Sequence, residues 1–169
     1  MEKVKIILDA DVLIHFSKAG RLSMLPKILP QYEHTILSAV YEETISIRRQ
    51  IDNQINLLKN MVVLPFAPTG PMRLEYAKLR SRFGKGESAC MAYCRFTKDV
   101  IGSSNLKDIK DYCAEQRITY LTTIDFLYYG HAKGMLSKEE CDDFISEVNS
   151  KGSKLPKIDI TTYKPNKLA

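Results

Sequence analysis

Asp9 stands directly behind the apolar run "VKIIL" (residues 4–8), and Asp11 follows two places later, just before a second aliphatic run. A carboxylate beside a buried strand costs several kcal/mol or more when it lacks a partner, so an acid in this position calls for a reason. Other acids recur at comparable places. Glu42 and Glu43 follow the run "HTILS", Glu87 opens a small-residue stretch after the turn "GKG", and Asp108 and Asp125 follow the two late apolar runs. Two carboxylates about 4 Å apart repel by roughly 4 kcal/mol at an effective dielectric near 20. Three or four therefore do not ionise side by side unless a cation holds them. A hard divalent ion, Mg²⁺ or Mn²⁺, meets that need with oxygen ligands and retained waters. Such an ion orients a water, lowers its pKa and stabilises the charge that develops on a phosphodiester. No His, Ser or Cys nucleophile with a fitting partner is visible as an alternative.

Each acid also has a structural reading. Glu43, Glu87 and Asp108 can simply favour the first turn of a helix, where negative charge contributes about 0.3 to 1 kcal/mol. Asp125, after "TT", reads as a helix N-terminal residue. Asp9 is the exception, because a helix-end role does not explain an acid placed directly behind a buried strand. Asp11 shares the face of Asp9 if the strand continues, and is a first-turn or supporting acid if a helix begins at Ala10; the latter is favoured. His15 reads as a packing or surface residue, and His34 and His131 have no evident partners. Cys90 and Cys94 would share a helix face, yet the four cysteines form no C-x-x-C pair and read as small buried thiols in a reducing compartment.

The elements that must position these acids follow from the hydropathy pattern. Strands are expected at 4–8, over "HTILS", over "MVVLPF", over "DVIGS" and at 118–122. Between them lie a helical stretch to about Leu29 broken near Gly20, and one long amphipathic helix through "SAVYEETISIRRQIDNQINLLKN" with Ile47, Ile51, Ile55 and Leu58 on one face. A basic helix is expected around "MRLEYAKLRSRF", a small-residue helix over "ESACMAYC", a further helix at 105–116, and two more at about 124–133 and 138–149. Alternating strands and helices predict an α/β fold, a three-layer α/β/α arrangement with a central parallel sheet. Ligands of such sheets bind beyond the carboxyl ends of the strands, where Asp9 lies.

The chain has 169 residues, 44% hydrophobic and 27% charged, which suits one domain over 1–150 followed by a basic tail over 151–169. The tail carries five lysines and two prolines and reads as an extended arm. No apolar run reaches membrane-spanning length, and no signal core with a cleavage site is seen, so a cytoplasmic protein is expected. The net charge of +5 is compatible with a polyanionic partner such as RNA, and Arg73, Arg80, Arg82 and Lys85 cluster in mid-chain.

Four motifs, in order, resemble the PIN domain family, nucleases that include VapC-like toxins. "IILDADVLI" is similar to the opening strand and first acid. "LSAVYEETI" resembles the second motif, with Val40 three residues before Glu43, and "GKGESACMAYC" resembles the Gly-Glu opening of a small-residue helix at Glu87. "ITYLTTIDFLYYGHAKGMLS" is similar to the closing segment. The resemblance spans roughly 4–136. It implies a Mg²⁺- or Mn²⁺-dependent ribonuclease, the toxin of a type II toxin–antitoxin pair, forming a homodimer and inhibited by a small antitoxin. Asp9, Glu43 and Glu87 then carry over as metal ligands or organisers of the attacking water.

The departure lies at the fourth motif, where the family usually places an Asp. Here the residues are Ser103, Ser104 and Asn105. Asn105 can offer a neutral carbonyl ligand, and Asp108, about one helical turn on, can supply a displaced carboxylate; alternatively Ser104 or Asn105 only caps a helix. Two other readings therefore stand beside the nuclease: a catalytically weakened PIN-like module that binds RNA or protein, and a haloacid-dehalogenase-like phosphatase suggested by the D-x-D of Asp9 and Asp11. The phosphatase lacks its late G-D-x-x-x-D pair.

Overall fold

A computed structural model describes residues 2–169. Five strands form one all-parallel sheet: β1 (Lys5–Leu8), β2 (Glu33–Leu37), β3 (Val62–Leu64), β4 (Val100–Gly102) and β5 (Tyr120–Leu121), in the spatial order β3-β2-β1-β4-β5. The fold is thus the expected α/β class, with a topology consistent with a PIN-like arrangement. β1 is central because Ile6, Ile7 and Leu8 are fully buried, as a strand covered on both faces must be. It pairs Ile6 with both His34 and Val100, so β2 and β4 flank it in register.

The strand order reverses at β1, between β2 on one side and β4 on the other. Right-handed crossovers then place the intervening helices on opposite faces. On one face α6 (Lys85–Thr97) packs against β1, β2 and β4, with α5 (Gly70–Arg80) and α7 (Leu106–Gln116) against it. Its small residues allow this close approach: Gly86, Ser88, Ala89, Cys90 and Ala92 are all buried. On the other face α1 (Ala10–Lys18) meets α8 (Thr123–Ala132) and α9 (Lys138–Ser150). Phe16 joins them, its ring edge-on to Phe126 at 6.1 Å and to Phe144 at 4.9 Å, a geometry that aromatic quadrupoles favour. The short α2 (Leu25–Ile28) lies against α8. Among the described residues no helix is long and apolar enough to cross a membrane.

Two expectations are corrected. The long helix after β2 is broken into α3 (Ser38–Glu43), a turn of 3₁₀ helix at Ile45–Ile47 and α4 (Arg48–Asn56). Thr44 makes the break, at φ −95° and ψ 43°, with its hydroxyl donating to the Tyr41 carbonyl at 3.0 Å. A Thr–Ile–Ser–Ile run is a poor helix former, and its hydroxyls compete for backbone partners. The apolar stripe accordingly ends early: Ile47 and Ile51 are buried, whereas Leu58 is 54% exposed. The break leaves Glu43 at the end of a short helix, free to turn toward α6.

The tail contains no helix or strand, but it lies against the body rather than projecting as an arm. Leu155 and Ile160 are buried, and Tyr163 donates from its hydroxyl to Asp125 Oδ1 at 2.8 Å. Asn166 donates to the same carboxylate from its backbone N–H and from Nδ2, each at 3.0 Å. All four cysteines are free and buried, as the sequence suggests.

Candidate functional site

Asp9 is the residue at which β1 becomes α1. Its backbone is extended (φ −83°, ψ 163°), its N–H donates to the Gly102 carbonyl of β4 at 2.8 Å, and its Oδ1 accepts from the Ala10 N–H at 2.8 Å. The carboxyl is thus an N-cap fixed at the carboxyl edge of the sheet, 8% exposed. Burial first, then the neighbouring Asp11 and Glu43 charges, push its pKa up from 3.8 to about 7. No cationic side chain compensates it.

Asp11 sits in the first turn of α1, as expected if the helix begins at Ala10. Both of its oxygens hold backbone: Oδ1 accepts from Val12 N–H at 2.8 Å and Oδ2 from Ser104 N–H at 2.9 Å. Asp11 therefore positions the β4–α7 loop, the segment where the fourth motif departs. Burial pushes its own pKa up against those stabilising bonds.

Glu43 reaches α6. Its Oε1 accepts from the Gly86 N–H at 3.0 Å, satisfying one of the donors that a helix N-terminus leaves free. Gly86 is required for the approach, because a Cβ there would lie 2.5 Å from Glu43 Oε2. The same N-terminus carries Glu87, whose pKa is pushed up from 4.5 to about 8 by burial and then by Asp9, Asp108 and Asp11. Asp108 stands close enough to Glu87 to contribute to that rise, which favours the protonated form of Glu87.

Asn105 occupies the N-cap position of α7 but makes no side-chain cap bond. Instead its Nδ2 donates to Glu87 Oε1 at 3.1 Å and to Asp108 Oδ2 at 3.0 Å. Of the predicted residues, Asp9, Glu87, Asp108 and Asn105 form one cluster. Glu43 borders it close enough to raise the pKa of Asp9, while committing one oxygen to Gly86. None of these acids takes part in an ion pair among the described residues.

Hard oxygen donors without a basic partner, with Asp9 buried, Glu87 and Asp108 half-buried and Asn105 exposed, suit a divalent cation in chemistry. The coordination shell is not assembled: among the described residues no three Asp, Glu, His or Cys side chains converge on one point. The Asn105 amide lies between Glu87 and Asp108 and supplies neutral donors.

Asp125 is elsewhere and otherwise engaged. It is fully buried, forms a reciprocal capping box with Thr122, and receives Tyr163 and Asn166 from the tail. His15 is buried with Nδ1 2.7 Å from Thr123 Oγ1, and burial pushes its pKa down to about 4. Thr123 also accepts from the Ser104 hydroxyl at 2.8 Å. Sequence reasoning missed this His15–Thr123–Ser104 chain and the tail residues Tyr163 and Asn166. Their partners are 19 to 108 residues away, and no periodicity links them.

No family model matches the chain, and a search of curated proteins returned no match.

Proposed function

We propose that this chain is a divalent-cation-dependent ribonuclease of the PIN-like kind, hydrolysing RNA phosphodiesters as the toxin of a toxin–antitoxin pair. One observation carries the reading. Asp9 and Glu87, 78 positions apart, come together at the carboxyl edge of a parallel sheet, close enough for the Asp9 charge to help raise the pKa of Glu87, and neither forms an ion pair with a cationic side chain among the described residues. Burying such a pair costs stability unless something else binds there, and perturbed acids at this edge of an α/β sheet favour a functional site over a structural one.

Asp9 and Glu87 would hold Mg²⁺ or Mn²⁺, with Asp108 and the Asn105 carbonyl as further oxygen donors. The ion would supply charge compensation and a polarised water. Asp9 is held rigidly by Ala10 N–H and the Gly102 carbonyl, so its carboxyl is preorganised. The raised pKa of Glu87 favours its protonated form near neutral pH; with a cation beside it the carboxyl would be ionised and would serve as the acceptor for a proton from the attacking water. Glu43 fixes the α6 N-terminus, and thereby Glu87, through Gly86. The exposed Arg80, Arg82 and Lys85 lie at the end of α5, in the turn after it and at the start of α6, the helix end that carries Glu87, and suit the RNA backbone; Arg73 lies at the other end of α5. The homodimer and small antitoxin belong to the same proposal and rest on the sequence resemblance.

A second reading is favoured by one specific contact. The Asn105 amide bridges Glu87 and Asp108 where the family pattern has an acid, which lowers the charge available to a cation and suits a weakened, RNA- or protein-binding module. Against the phosphatase reading, both oxygens of Asp11 are committed to backbone, leaving no free general acid.

The test is cleavage of a single-stranded RNA with Mn²⁺, with EDTA, and with Asp9→Asn. The nuclease reading expects cleavage that EDTA and Asp9→Asn both abolish. Mn²⁺ binding without cleavage selects the binding module.

A further inference from the structure

We propose that the cavity between the β4–α7 loop, β5 and the C-terminal tail is a nucleobase subsite, receiving one unpaired RNA base beside the phosphodiester held at the acidic cluster. The proposal takes its substrate from the ribonuclease reading, whereas its ligand chemistry is read from the cavity itself.

The cavity measures about 510 Å³, within the range of small-molecule sites. It shares Asn105, which is bonded to Glu87, with the acidic cluster and is also lined by Asp11, two residues from Asp9, so its occupant lies next to that cluster. Its walls are largely apolar: Leu106, Ile124, Leu155 and Pro156, with the half-buried rings of Tyr120 and Tyr163. Thr122, Asn166 and His15 add polar atoms at the boundary. His15 has Nδ1 engaged with Thr123, leaving Nε2 as its remaining polar atom. Aromatic faces with a few hydrogen-bonding groups are what an unstacked base requires, since it offers a π-face and a polar edge.

Charge supports the same occupant. Lys154 lines the cavity, is exposed, and takes part in no ion pair among the described residues. It is therefore available to a phosphate on the strand whose base enters. The Asp11 oxygens are turned to the Val12 and Ser104 N–H groups rather than left as free acceptors. The outer wall is preformed, because Tyr163 and Asn166 are tied to the buried carboxylate of Asp125. An apolar side chain from a protein partner is the competing occupant. It would use the walls but not the free lysine.

The experiment titrates the full chain with each of the four ribonucleoside 5′-monophosphates and the matching nucleosides, read by NMR of the tyrosine rings, with and without Mg²⁺. At least one monophosphate should bind saturably and shift the Tyr120 and Tyr163 rings. Leu106→Trp, which puts a bulky ring at the mouth from a position 43% exposed, should weaken binding by about tenfold, the scale of one lost base stack. Lys154→Ala should weaken the monophosphate about threefold, roughly a surface ion pair, and leave the nucleoside unchanged. The subsite is overturned if none of the eight probes shifts either ring, or if both variants bind as the parent does. Nucleotide binding without Mn²⁺-dependent RNA cleavage would sink the nuclease reading and keep the subsite. Cleavage with the same KM in both variants would sink the subsite and keep the nuclease.

Discussion

The Asn105 side-chain amide donates to Glu87 Oε1 at 3.1 Å, across the gap between the N-termini of α7 and α6. A second bond from the same nitrogen reaches Asp108 at 3.0 Å. The amide thus stands between the two carboxyls, and on the proposed reading it replaces a charged ligand with a neutral one. Asn105→Asp should tighten Mn²⁺ binding by about tenfold or more, because divalent affinity tracks the number of charged ligands. It should also lower stability in EDTA by about 1 kcal/mol, since it adds a like charge beside Glu87 and Asp108. Calorimetry with Mn²⁺ and urea unfolding in EDTA check both parts. Unchanged affinity would show that Asn105 only ties the loop.

Gly86 admits Glu43 to the start of α6. Gly86→Ala places a methyl group 2.5 Å from Glu43 Oε2 and should displace that side chain from the helix N-terminus. The expected loss is about 1 to 2 kcal/mol in urea unfolding, the scale of a lost cap. Glu43→Gln keeps the acceptor for Gly86 N–H and should cost less than half as much. Equal losses in the two variants would mean that the charge of Glu43, rather than its hydrogen bond, is what counts.

Acid should stabilise the cation-free protein over part of the pH range. Asp9 and Glu87 have folded-state pKa values raised to about 7 and about 8 from 3.8 and 4.5. The folded chain therefore binds more protons than the unfolded chain between those limits, and stability in EDTA rises as pH falls from 8.5 to 6.5. Asp9, the more buried of the two, contributes about 1 kcal/mol of that rise. Asp9→Asn should flatten the slope. Below about 6.5 the sign of another contribution is opposite. His15 and His34 are lowered from 6.5 to about 4 by burial, so the unfolded chain takes up their protons first and stability is lost toward pH 4. Urea midpoints across pH 4 to 8.5 measure the profile, and a midpoint that falls between pH 8.5 and 6.5 contradicts it.

Asp125 joins the tail to the body. Asp125→Ala removes the acceptor for Thr122, Tyr163 and Asn166 inside a fully buried site, leaving several donors unpaired. A loss of about 3 to 5 kcal/mol is expected, the scale for breaking a buried charged group's bonds. Limited proteolysis should then cut within 151–169 much faster than in the parent. A tail that stays protected would place its anchorage in Leu155 and Ile160 instead.

The sheet was legible because its strands are short apolar runs closed by a polar residue, glycine or proline, and because a parallel sheet requires such runs. "VKIIL" and "DVIGS" correspond to adjacent strands β1 and β4. The helix break at Thr44 was not legible, since Ile47, Ile51 and Ile55 keep helical spacing across a local hydroxyl–carbonyl bond that periodicity does not register. Within the site, Asp9 could be singled out from burial alone, and Glu87 from the glycine turn before it. The Asn105 bridge depends on where α7 starts relative to α6, and the Asp125 latch depends on residues of the tail. Both are tertiary contacts that carry no short-range pattern.

The central claim is that Asp9 and Glu87 are gathered for a divalent cation, and Mn²⁺ calorimetry at pH 7 on the parent and Asp9→Asn tests it most directly. The account predicts saturable binding that releases protons, seen as heats that depend on the buffer, and that disappears in Asp9→Asn. Absence of binding in the parent, or undiminished binding in Asp9→Asn, would contradict it.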